Sequence, residues 1–562
     1  MWLVVVDTTQ IQPYVFGSNR LRENVGASYL VDAATGDWAF QAVKDATPAK
    51  NNIGQDKELN DGVRIEAGWE AEVLYAGGGN FVVLFDEIGK VERFQSYLSL
   101  CVLEKAPGLQ LVIAQLELDW HKHVLRDMLD EVLRKLAVQK RKRAWSAPLL
   151  GLSVTASCNS TGLPATGIVA GIGSDPGYLA SDEIRAKVAV ALPQHSDTSA
   201  ADGRLQEVLH LPAAYKYPAD FEHLGATAGE YSYIAIVHAD GNGMSQCIRE
   251  IGDEYATVEK NRAFVQALRK FSHDVQQAAG RSLQAALDRL TKQIHDKDDG
   301  KYIVYKPNPK MLIQVRLAQN KEGLYYIPFR PIVFGGDDVT FVCDGRLGLA
   351  LATAYLREFE QQTARVGLGK DGSGLTACAG IAIVKSHYPF ARAYALAAEL
   401  TSSVKRYRED QRIPGSCLDW HFAASGLGGS IKEIREREYQ VAAGSLALRP
   451  VTLNANPNQE QHAWPVVQQG MQAFQGKQWA GRRNKIKALR DALRDGPDAV
   501  EHFLVAFNNG ADLPVVLSGM NNWPSTGWQG GVCGYFDAIE LADWFIPLEG
   551  EANETLATVP AS

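Results

Sequence analysis

The sequence predicts an α+β protein with two copies of a β-α-β-β-α-β module, the ferredoxin-like arrangement, joined by an irregular linker region and followed by a helical domain. Both copies open with an apolar strand that ends in an aspartate and continue through a helix into a hairpin with a glycine-rich tip. Only the second hairpin carries a pair of adjacent aspartates. We therefore expect a duplicated fold in which one copy keeps acidic side chains that the other lacks.

The domain boundaries follow from where these patterns begin and end. We place the first module at 1–145, the linker region at 146–228, the second module at 229–440 and the C-terminal helical domain at 441–562.

Apolar periodicity predicts each element of the first module. Branched residues over 3–6 favour a strand that ends in Asp7, and residues 21–31 have helical spacing. A glycine-tipped hairpin is predicted over 71–85, and Gly79 and Asn80 stand where the second hairpin has its aspartates. The remaining elements are a helix over 87–103, a strand over 109–118 and a helix over 122–145.

The linker region and the second module follow in the same way. In the linker region we expect a strand over 149–155 and short helices over 183–192 and 203–211. The second module is predicted to contain a strand over 233–237, helical patterning over 254–294, a hairpin over 332–342, a helix over 346–364, a strand over 375–384 and a helix over 389–407. The C-terminal helices are predicted over 464–474, 482–494, 499–508 and 534–544.

The tip of the second hairpin is the strongest local signal for chemistry. Gly335 and Gly336 favour a tight reversal between two strands, and Asp337 and Asp338 follow directly. Neighbouring carboxylates repel each other unless water or cations compensate them. Taken alone, this segment is equally well explained as a solvated acidic turn.

A third carboxylate favours the functional interpretation. Asp240 lies just past the first strand of the second module, and a strand beside the hairpin would bring it to the same rim as Asp337 and Asp338. Hard oxygen ligands are what Mg²⁺ or Mn²⁺ requires, with phosphate oxygens completing the coordination shell. We expect these three aspartates to bind two divalent ions.

Two neighbouring segments have candidate phosphate-binding groups. Lys405 lies in the last turn of the helix over 389–407, where it either complements the helix C-terminus or reaches a substrate phosphate. Asn242 and Gly243 follow the first strand closely enough to donate to phosphate oxygens.

Composition limits the class of protein. Of the 562 residues, 46% are hydrophobic and 22% charged, as in ordinary globular proteins. No apolar run is long enough for a membrane helix, and the seven scattered cysteines form no Cys-x-x-Cys motif, which favours reduced thiols in a cytoplasmic protein. The net charge of −8 favours a small substrate over a long nucleic acid.

These motifs together resemble a known family. The Asp240 loop, the Gly335–Asp338 tip, the strand over 375–384 with the residues after it, and the helix that leads to Lys405 are similar to the second palm domain of the polymerase/cyclase large subunit of type III CRISPR effectors. The segments 21–29 and 75–80 resemble that subunit's degenerate first palm. More distantly, the palm is similar to GGDEF diguanylate cyclases and class III adenylyl cyclases.

The resemblance implies a nucleotidyltransferase that joins NTPs, ATP above all, into cyclic oligonucleotides for antiviral defence. It implies catalysis and metal binding by Asp240, Asp337 and Asp338, with assistance from Lys405. The first palm would hold the acceptor nucleotide across a cleft between the palms. The implied nucleotide-binding residues are Gly241, Asn242, Gly243, Gly335 and Gly336 in the second module and Gly77, Gly78, Gly79 and Asn80 in the first.

Two features of the family are not found in the sequence, and other functions stay open. We find no N-terminal HD nuclease motif and no interpalm zinc-ribbon cysteines, so we expect a stand-alone relative. An RNA or protein activator and an oligomer are compatible with this expectation. The alternatives are a diguanylate or mononucleotide cyclase, and a non-catalytic RNA-binding scaffold subunit that shares the fold.

Overall fold

The fold is described from a computed structural model of the chain. The described residues are 1–55, 58–77, 79–142, 154–171, 176–193, 198–225, 232–369, 372–423, 429–454, 460–476, 478–507, 510–517 and 520–548.

The first module is a four-stranded antiparallel sheet covered by helices. Its strands are β1 (Trp2–Thr9), β2 (Ala71–Gly77), β3 (Asn80–Phe85) and β4 (Gln110–Glu117). Its helices are α1 (Ile11–Phe16), α2 (Leu21–Thr35), α3 (Asp37–Ala46), α4 (Ile88–Lys105) and α5 (Leu125–Lys142). The strand order β2-β3-β1-β4 is that of a ferredoxin-like fold, which confirms the predicted class for this module.

The linker region is built from short elements that pack onto the first module. These are β5 (Gly167–Val169), β6 (Tyr178–Ala180), α6 (Asp182–Ala191), α7 (Ala200–Val208) and β7 (Tyr215–Lys216). The backbones of α2 and α6 touch at Gly26, where an added Cβ would stand 1.8 Å from the carbonyl oxygen of Lys187. The strand predicted over 149–155 falls mainly on residues outside the described ranges.

The second module repeats the first and extends it. Its elements are β8 (Tyr233–Gly241), α8 (Met244–Glu254), α9 (Asn261–Lys292), β9 (Ile294–Lys297), β10 (Gly300–Asn308), β11 (Met311–Arg316), β12 (Tyr325–Tyr326), β13 (Phe329–Gly335), β14 (Asp338–Asp344), α10 (Gly348–Arg365), β15 (Ala377–Lys385), α11 (Phe390–Asp410), β16 (Cys417–Ala423) and α12 (Ile431–Glu438). The sheet order β13-β14-β8-β15 matches that of the first module, with β16 added in parallel to β15.

Two strand groups in this module were not predicted. Strands β9, β10 and β11 form a separate three-stranded sheet between the long helix and the hairpin. Strand β16 follows α11 and is buried over most of its length. The helical pattern predicted over 254–294 corresponds to α9, which begins only at Asn261, and α8 before it was not predicted. The Asn261 side chain donates to backbone carbonyl oxygens in the loop before α5.

The C-terminal region is mainly helical, as predicted, with a small sheet that the helical pattern did not indicate. Its elements are β17 (Gln440–Val441), β18 (Gly444–Ser445), β19 (Val451–Thr452), α13 (Trp464–Gln475), α14 (Arg483–Asp495), α15 (Pro497–Phe507), α16 (Trp523–Thr526), β20 (Trp528–Gln529), β21 (Val532–Cys533) and α17 (Phe536–Leu541). One apolar core runs from the second module into this region, so the boundary at 440 stays a prediction, like the other domain boundaries.

A second apolar core joins the two modules. Helix α1 packs against α11, where the ring of Phe16 stacks on that of Tyr394 with centroids 3.6 Å apart. The Asn19 side chain accepts a hydrogen bond of 2.8 Å from the backbone N–H of Phe390 at the start of α11. This cluster also includes residues on one face of the second sheet, such as Ile234 and Ile236. The relative position of the modules is therefore determined by buried apolar contacts.

Helix α9 connects the modules on another side. Phe264, Val265 and Leu268 in its first half are buried against the sheet of the first module. Leu283 and Leu287 in its second half are buried in the core of the second module. Within the described part of the chain, neither this helix nor any other has the length and apolar character that crossing a membrane requires.

A buried carboxylate fixes the first half of α9. Glu72 on β2 has a fully buried side chain and accepts hydrogen bonds from Arg262 (2.6 Å) and Arg269 (2.8 Å). The Ile65 N–H donates to the same carboxylate at 2.8 Å. Since an ion buried without partners is costly, this arrangement holds both arginines of α9 against the first module.

Replacing Glu72 by alanine should destabilise this contact. We expect Glu72→Ala to lower the free energy of unfolding by about 3 kcal/mol, because both buried guanidinium groups lose a partner. Asp61→Ala is the matched control, since Asp61 binds the same Arg269 but its side chain is 64% exposed. We expect that control to change stability by less than about 1 kcal/mol. Urea denaturation followed by tryptophan fluorescence measures both, and equal effects would contradict a dominant role of Glu72.

Candidate functional site

The tip of the second hairpin is a tight, open turn. Gly335 pairs with Asp338 across the hairpin, and Gly336 has a φ of +89°, a conformation that favours glycine. Apart from the glycines and their chain neighbours, no heavy atom of the described residues lies within 4 Å of where a Cβ would stand on Gly335 or Gly336. The backbone of the tip is thus free for close approach by a ligand.

Strand β8 brings Asp240 next to this tip. Ala239 pairs with Val339 on one side of β8, and Asp240 pairs with Cys378 on the other side. The Asp337 side chain packs directly on the adjacent Gly241, where an added Cβ would lie 2.9 Å from its Oδ2 atom. The structure therefore brings Asp240, Asp337 and Asp338 to one rim of the sheet.

The surroundings of Asp337 favour its protonated form. Burial raises the pKa of Asp337 to about 6, and the negative charges of Asp240 and Asp338 act in the same direction. Lys405 opposes the shift only in part. The ionised form of Asp337 is therefore disfavoured until a cation compensates it.

Lys405 is already bound to one of the carboxylates. Its Nζ atom lies 2.6 Å from Oδ2 of Asp240 and donates a 3.0 Å hydrogen bond to the carbonyl oxygen of Gly241. Neither interpretation of Lys405 from the sequence included this contact. A lysine at this position supplies a positive charge to the acidic rim.

His238 is a site residue that the sequence reasoning missed. Its Nδ1 atom lies 3.3 Å from Oδ1 of Asp338 and 3.1 Å from the Thr340 hydroxyl, and the ring is buried. The signal was present in the sequence, because side chains alternate along a strand and His238 must share a face with Asp240.

The donor set fits a divalent cation in its chemistry. The three side chains are hard oxygen ligands, and the buried Oδ1 of Asp338 has no hydrogen-bond partner among the described residues. However, no group of three or more His, Cys, Asp or Glu side chains in the described part of the chain is arranged to hold a metal ion. The three carboxylates lie on one rim, but their side chains do not converge on one position. The metal site therefore stays a prediction.

The loop after β8 is more constrained than the sequence suggested. The backbone N–H of Asn242 donates to the Thr376 carbonyl at 2.8 Å, and its side-chain amide donates to the Thr376 hydroxyl at 2.9 Å. Gly243, with a φ of +72°, precedes the first turn of α8. Asn242 thus fixes the loop against Thr376, the residue that precedes β15, and Gly243 directs the chain into the helix.

The first module has the same framework with different side chains. Asp7 pairs with Asn80 in the register of β1 and β3, which places Asn80 where the second module has Asp338. The Asp7 carboxylate forms an ion pair with Lys140 in the last turn of α5, as Asp240 does with Lys405 on α11. The first module therefore has a single carboxylate at this position, that of Asp7, and it is paired with Lys140. The hairpin of the first module lacks the acidic pair.

A cavity of about 470 Å³ lies between the modules. Its lining includes Gly79 from the first hairpin and Gly335, Asp337 and Asp338 from the second. Of the other predicted residues, Gly77 lies beside Ser272 of α9, and Gly78 is outside the described residues. Asp240, Gly241, Asn242, Gly243, Asn80 and Lys405 do not contribute to the lining described for this cavity.

Three helices complete the walls of this cavity. Helix α2 contributes Ser28 and Asp32, the linker helix α7 contributes Arg204, and α9 contributes His273 and Arg281. Arg204 and Asp32 form an ion pair at 2.9 Å across the wall. The composition of α7 is ordinary, so nothing in its sequence indicated that it lines a cavity.

Comparisons with known proteins agree with this geometry. Residues 233–413 match the family model for the Cas10/Cmr2 second palm domain. Two solved structures of a Csm1–Csm4 cassette, one in complex with pppApApA and one with AMPPNP, are similar to this chain with TM-scores of 0.50 and 12% sequence identity. Each match covers 96% of this chain and 69% of the matched chain in the solved structure. No curated protein sequence matches the chain.

These findings confirm the resemblance stated from the motifs. Residues 233–413 are similar to the second palm domain of Cas10/Cmr2, and the chain as a whole has the fold seen in the two Csm1–Csm4 cassette structures. At 12% identity, the solved structures are evidence for the fold alone. The family model matches the module that contains Asp337 and Asp338.

The raised pKa of Asp337 predicts a pH-dependent stability. The folded protein favours the protonated carboxyl, so its stability should fall as the pH rises from about 4 to about 6. Asp337→Asn should remove this loss and stabilise the metal-free protein at pH 8 by on the order of 1–2 kcal/mol, less than the two pKa units imply because Asp337 is partly exposed. At pH 4 the variant and wild type should unfold alike. Thermal denaturation in EDTA at both pH values tests this, and equal stabilisation at both would contradict it.

Proposed function

We propose that this chain is a divalent-metal-dependent nucleotidyltransferase that joins NTPs, with ATP as the main substrate, into cyclic oligonucleotides. The observation that carries the proposal is the position of Asp337 and Asp338. They lie beside Asp240 and line a cavity that is shared with Gly79 of the other hairpin. Two nucleotides in one cavity between non-identical palms are what repeated 3′–5′ joining requires.

The acidic rim is proposed to hold two Mg²⁺ or Mn²⁺ ions through Asp240, Asp337 and Asp338. When bound, such ions lower the pKa of a ribose 3′-hydroxyl and neutralise the departing pyrophosphate. In our proposal the exposed backbone of Gly335 and Gly336 lets the triphosphate approach the rim. The surrounding burial, which disfavours an uncompensated Asp337 carboxylate, would then increase the site's preference for cations.

Lys405 is proposed to supply positive charge to the acidic rim. In the structure it forms an ion pair with Asp240. From there its ammonium group would stabilise the negative charge that develops on the leaving phosphates. His238 is proposed to orient Asp338 from the buried side of the sheet, since Nδ1 contacts the Oδ1 atom of that carboxylate.

The first palm is proposed to hold the acceptor nucleotide. It has one carboxylate, Asp7, which is neutralised by Lys140, so it lacks the donor set for two metal ions. Gly77, Gly78, Gly79 and Asn80 form its hairpin tip in our proposal, and Gly79 lines the shared cavity. A nucleotide seated there would direct its 3′-hydroxyl toward the second palm.

The solved relatives support adenine nucleotides and a protein partner. The two Csm1–Csm4 cassettes of the same fold were obtained with pppApApA, a linear adenine trinucleotide, and with the ATP analogue AMPPNP. We propose the same base preference for this chain, in CRISPR-type antiviral defence, and an assembly with a second protein. An activating RNA is a further part of this proposal.

Loss of both aspartates of the hairpin should abolish turnover. We expect purified protein with ATP and Mg²⁺ or Mn²⁺ to release pyrophosphate, and Asp337→Ala/Asp338→Ala to reduce the rate by at least ~10³-fold, because the metal ligands are removed. Asp298→Ala, which removes a carboxylate from the turn between β9 and β10, is the control and should keep full activity. Unchanged turnover in the double variant would refute the proposal.

The products identify which cyclase this is. Mass spectrometry of the products from an equimolar mixture of the four NTPs identifies the base and the ring size. A guanine dinucleotide or a cyclic mononucleotide as product would support the alternative cyclases and contradict our proposal.

The two equivalent lysines offer a matched comparison. We expect Lys405→Gln to lower kcat by about 10- to 100-fold, because a cation near the reacting phosphates is lost. Lys140→Gln, the equivalent change in the first palm, should keep kcat within about threefold, since no chemistry occurs there in our proposal. Steady-state pyrophosphate release measures both variants. Equal losses in the two variants would mean that the lysines act only in folding.

A further inference from the structure

A second cavity lies where the second palm meets the C-terminal region. Its volume is about 640 Å³, and it shares no lining residue with the cavity between the palms. Strand β11, the start of β8, the loop between α13 and α14 and the segment after α17 form its walls. Because these segments are far apart in the sequence, no motif indicated this site.

The rim of this cavity carries an excess of positive charge. Lys310, Arg346, Arg482 and Arg483 contribute side chains, whereas Asp543 is the single acidic residue in the described lining. Asp543 binds Arg483 at 2.8 Å, and Arg346 is held by Asp344 at 2.7 Å. Lys310 and Arg482 have no ion pair with any residue that the structure describes. Two cations are therefore available to an anionic ligand.

The floor of the cavity is aromatic. Trp479 forms its base, where the ring is 1% exposed and packs edge to face on Phe474. Tyr233 and Trp544 are partly exposed and pack edge to face, with centroids 4.7 Å apart. Flat, partly exposed rings favour a ligand with an aromatic heterocycle.

The walls are held in place before any ligand binds. The Gln475 side chain donates to the carbonyl oxygen of Ala542 at 2.7 Å and accepts from the Tyr305 hydroxyl at 3.0 Å. Its backbone carbonyl accepts from the Asn308 side chain at 2.7 Å. Gly481, with a φ of +73°, leaves room for the Lys310 stem, which would lie 2.7 Å from an added Cβ. Binding here thus costs little reorganisation.

We propose that this cavity is a second nucleotide site, which binds a nucleoside phosphate independently of the cavity between the palms. Lys310 and Arg482 bind the phosphates at the rim, and the partly exposed rings of Tyr233 and Trp544 contact the base. Since phosphate contacts from two cations and an aromatic floor are needed together, neither inorganic phosphate nor a free nucleoside should bind as well as the nucleotide. The site is independent of the metal-binding aspartates.

Photo-crosslinking can locate the bound nucleotide directly. The full chain is irradiated with 8-azido-ATP in EDTA, digested and mapped by mass spectrometry. We expect labelled peptides from the segments that contain Trp479 or Trp544, and we expect unlabelled ATP to compete better than inorganic phosphate or adenosine. Labelling confined to peptides of the cavity between the palms would overturn the proposal. Labelling of this site by a short photoreactive single-stranded RNA but not by 8-azido-ATP would also overturn it, in favour of an RNA-binding site.

Charge removal at the rim tests which residues bind the phosphates. Lys310→Ala/Arg482→Ala should weaken ATP binding at this site by roughly tenfold or more, measured by titration of the crosslink yield in EDTA. Lys487→Ala is the control, because Lys487 is an exposed cation on α14 outside the lining and should leave the yield unchanged. Melting temperatures of both variants verify the fold. Equal yields in the double variant and wild type would refute the proposed phosphate contacts.

Discussion

Mutual repulsion among Asp240, Asp337 and Asp338 is the constraint on which the second palm depends. The fold brings these carboxylates to one sheet rim and partly buries Asp337, so that burial and neighbouring charge both raise its pKa. The ammonium group of Lys405 lies on Asp240 and compensates part of this negative charge. Further positive charge at the rim would therefore favour the ionised form of Asp337.

The duplicated architecture places two different sets of side chains on one framework. Asp7 with Lys140 in the first palm and Asp240 with Lys405 in the second are the same strand-to-helix ion pair. The difference lies in the hairpin, where Asn80 replaces a carboxylate that the second palm keeps as Asp338. With one carboxylate and one lysine, the first site is electrically balanced without a metal ion. The second has an excess of negative charge, and this excess is what distinguishes a candidate catalytic palm from a nucleotide-holding one.

Local patterns in the sequence were sufficient to predict the repeated fold and the acidic rim. Strand and helix periodicity located the paired modules, and the spacing of Asp240 from the hairpin tip indicated their convergence, because strand order in a βαββ core is restricted. The contact of Lys405 with Asp240 could not be predicted, since it depends on the angle at which α11 crosses the sheet. The same holds for Arg204 in the cavity wall and for the polar strand β9, which lacks the alternation of a half-buried strand. Strand β11 does alternate, with Ile313 and Val315 buried, so its signal was present in the sequence and was missed.

The cavity between the palms depends on contacts far from the acidic rim. Helix α9 is bound to the first palm through Glu72 and its two arginines, while its second half lies in the core of the second palm. The middle of the same helix, including His273 and Arg281, lines the cavity. Any change in the angle between the palms must therefore bend α9 or break a buried ion pair, which costs several kcal/mol. A helix bound at both ends favours a fixed distance between Gly79 and Asp337. A nucleotidyl transfer between two bound nucleotides requires such a distance, because its rate depends strongly on the separation of the reacting atoms.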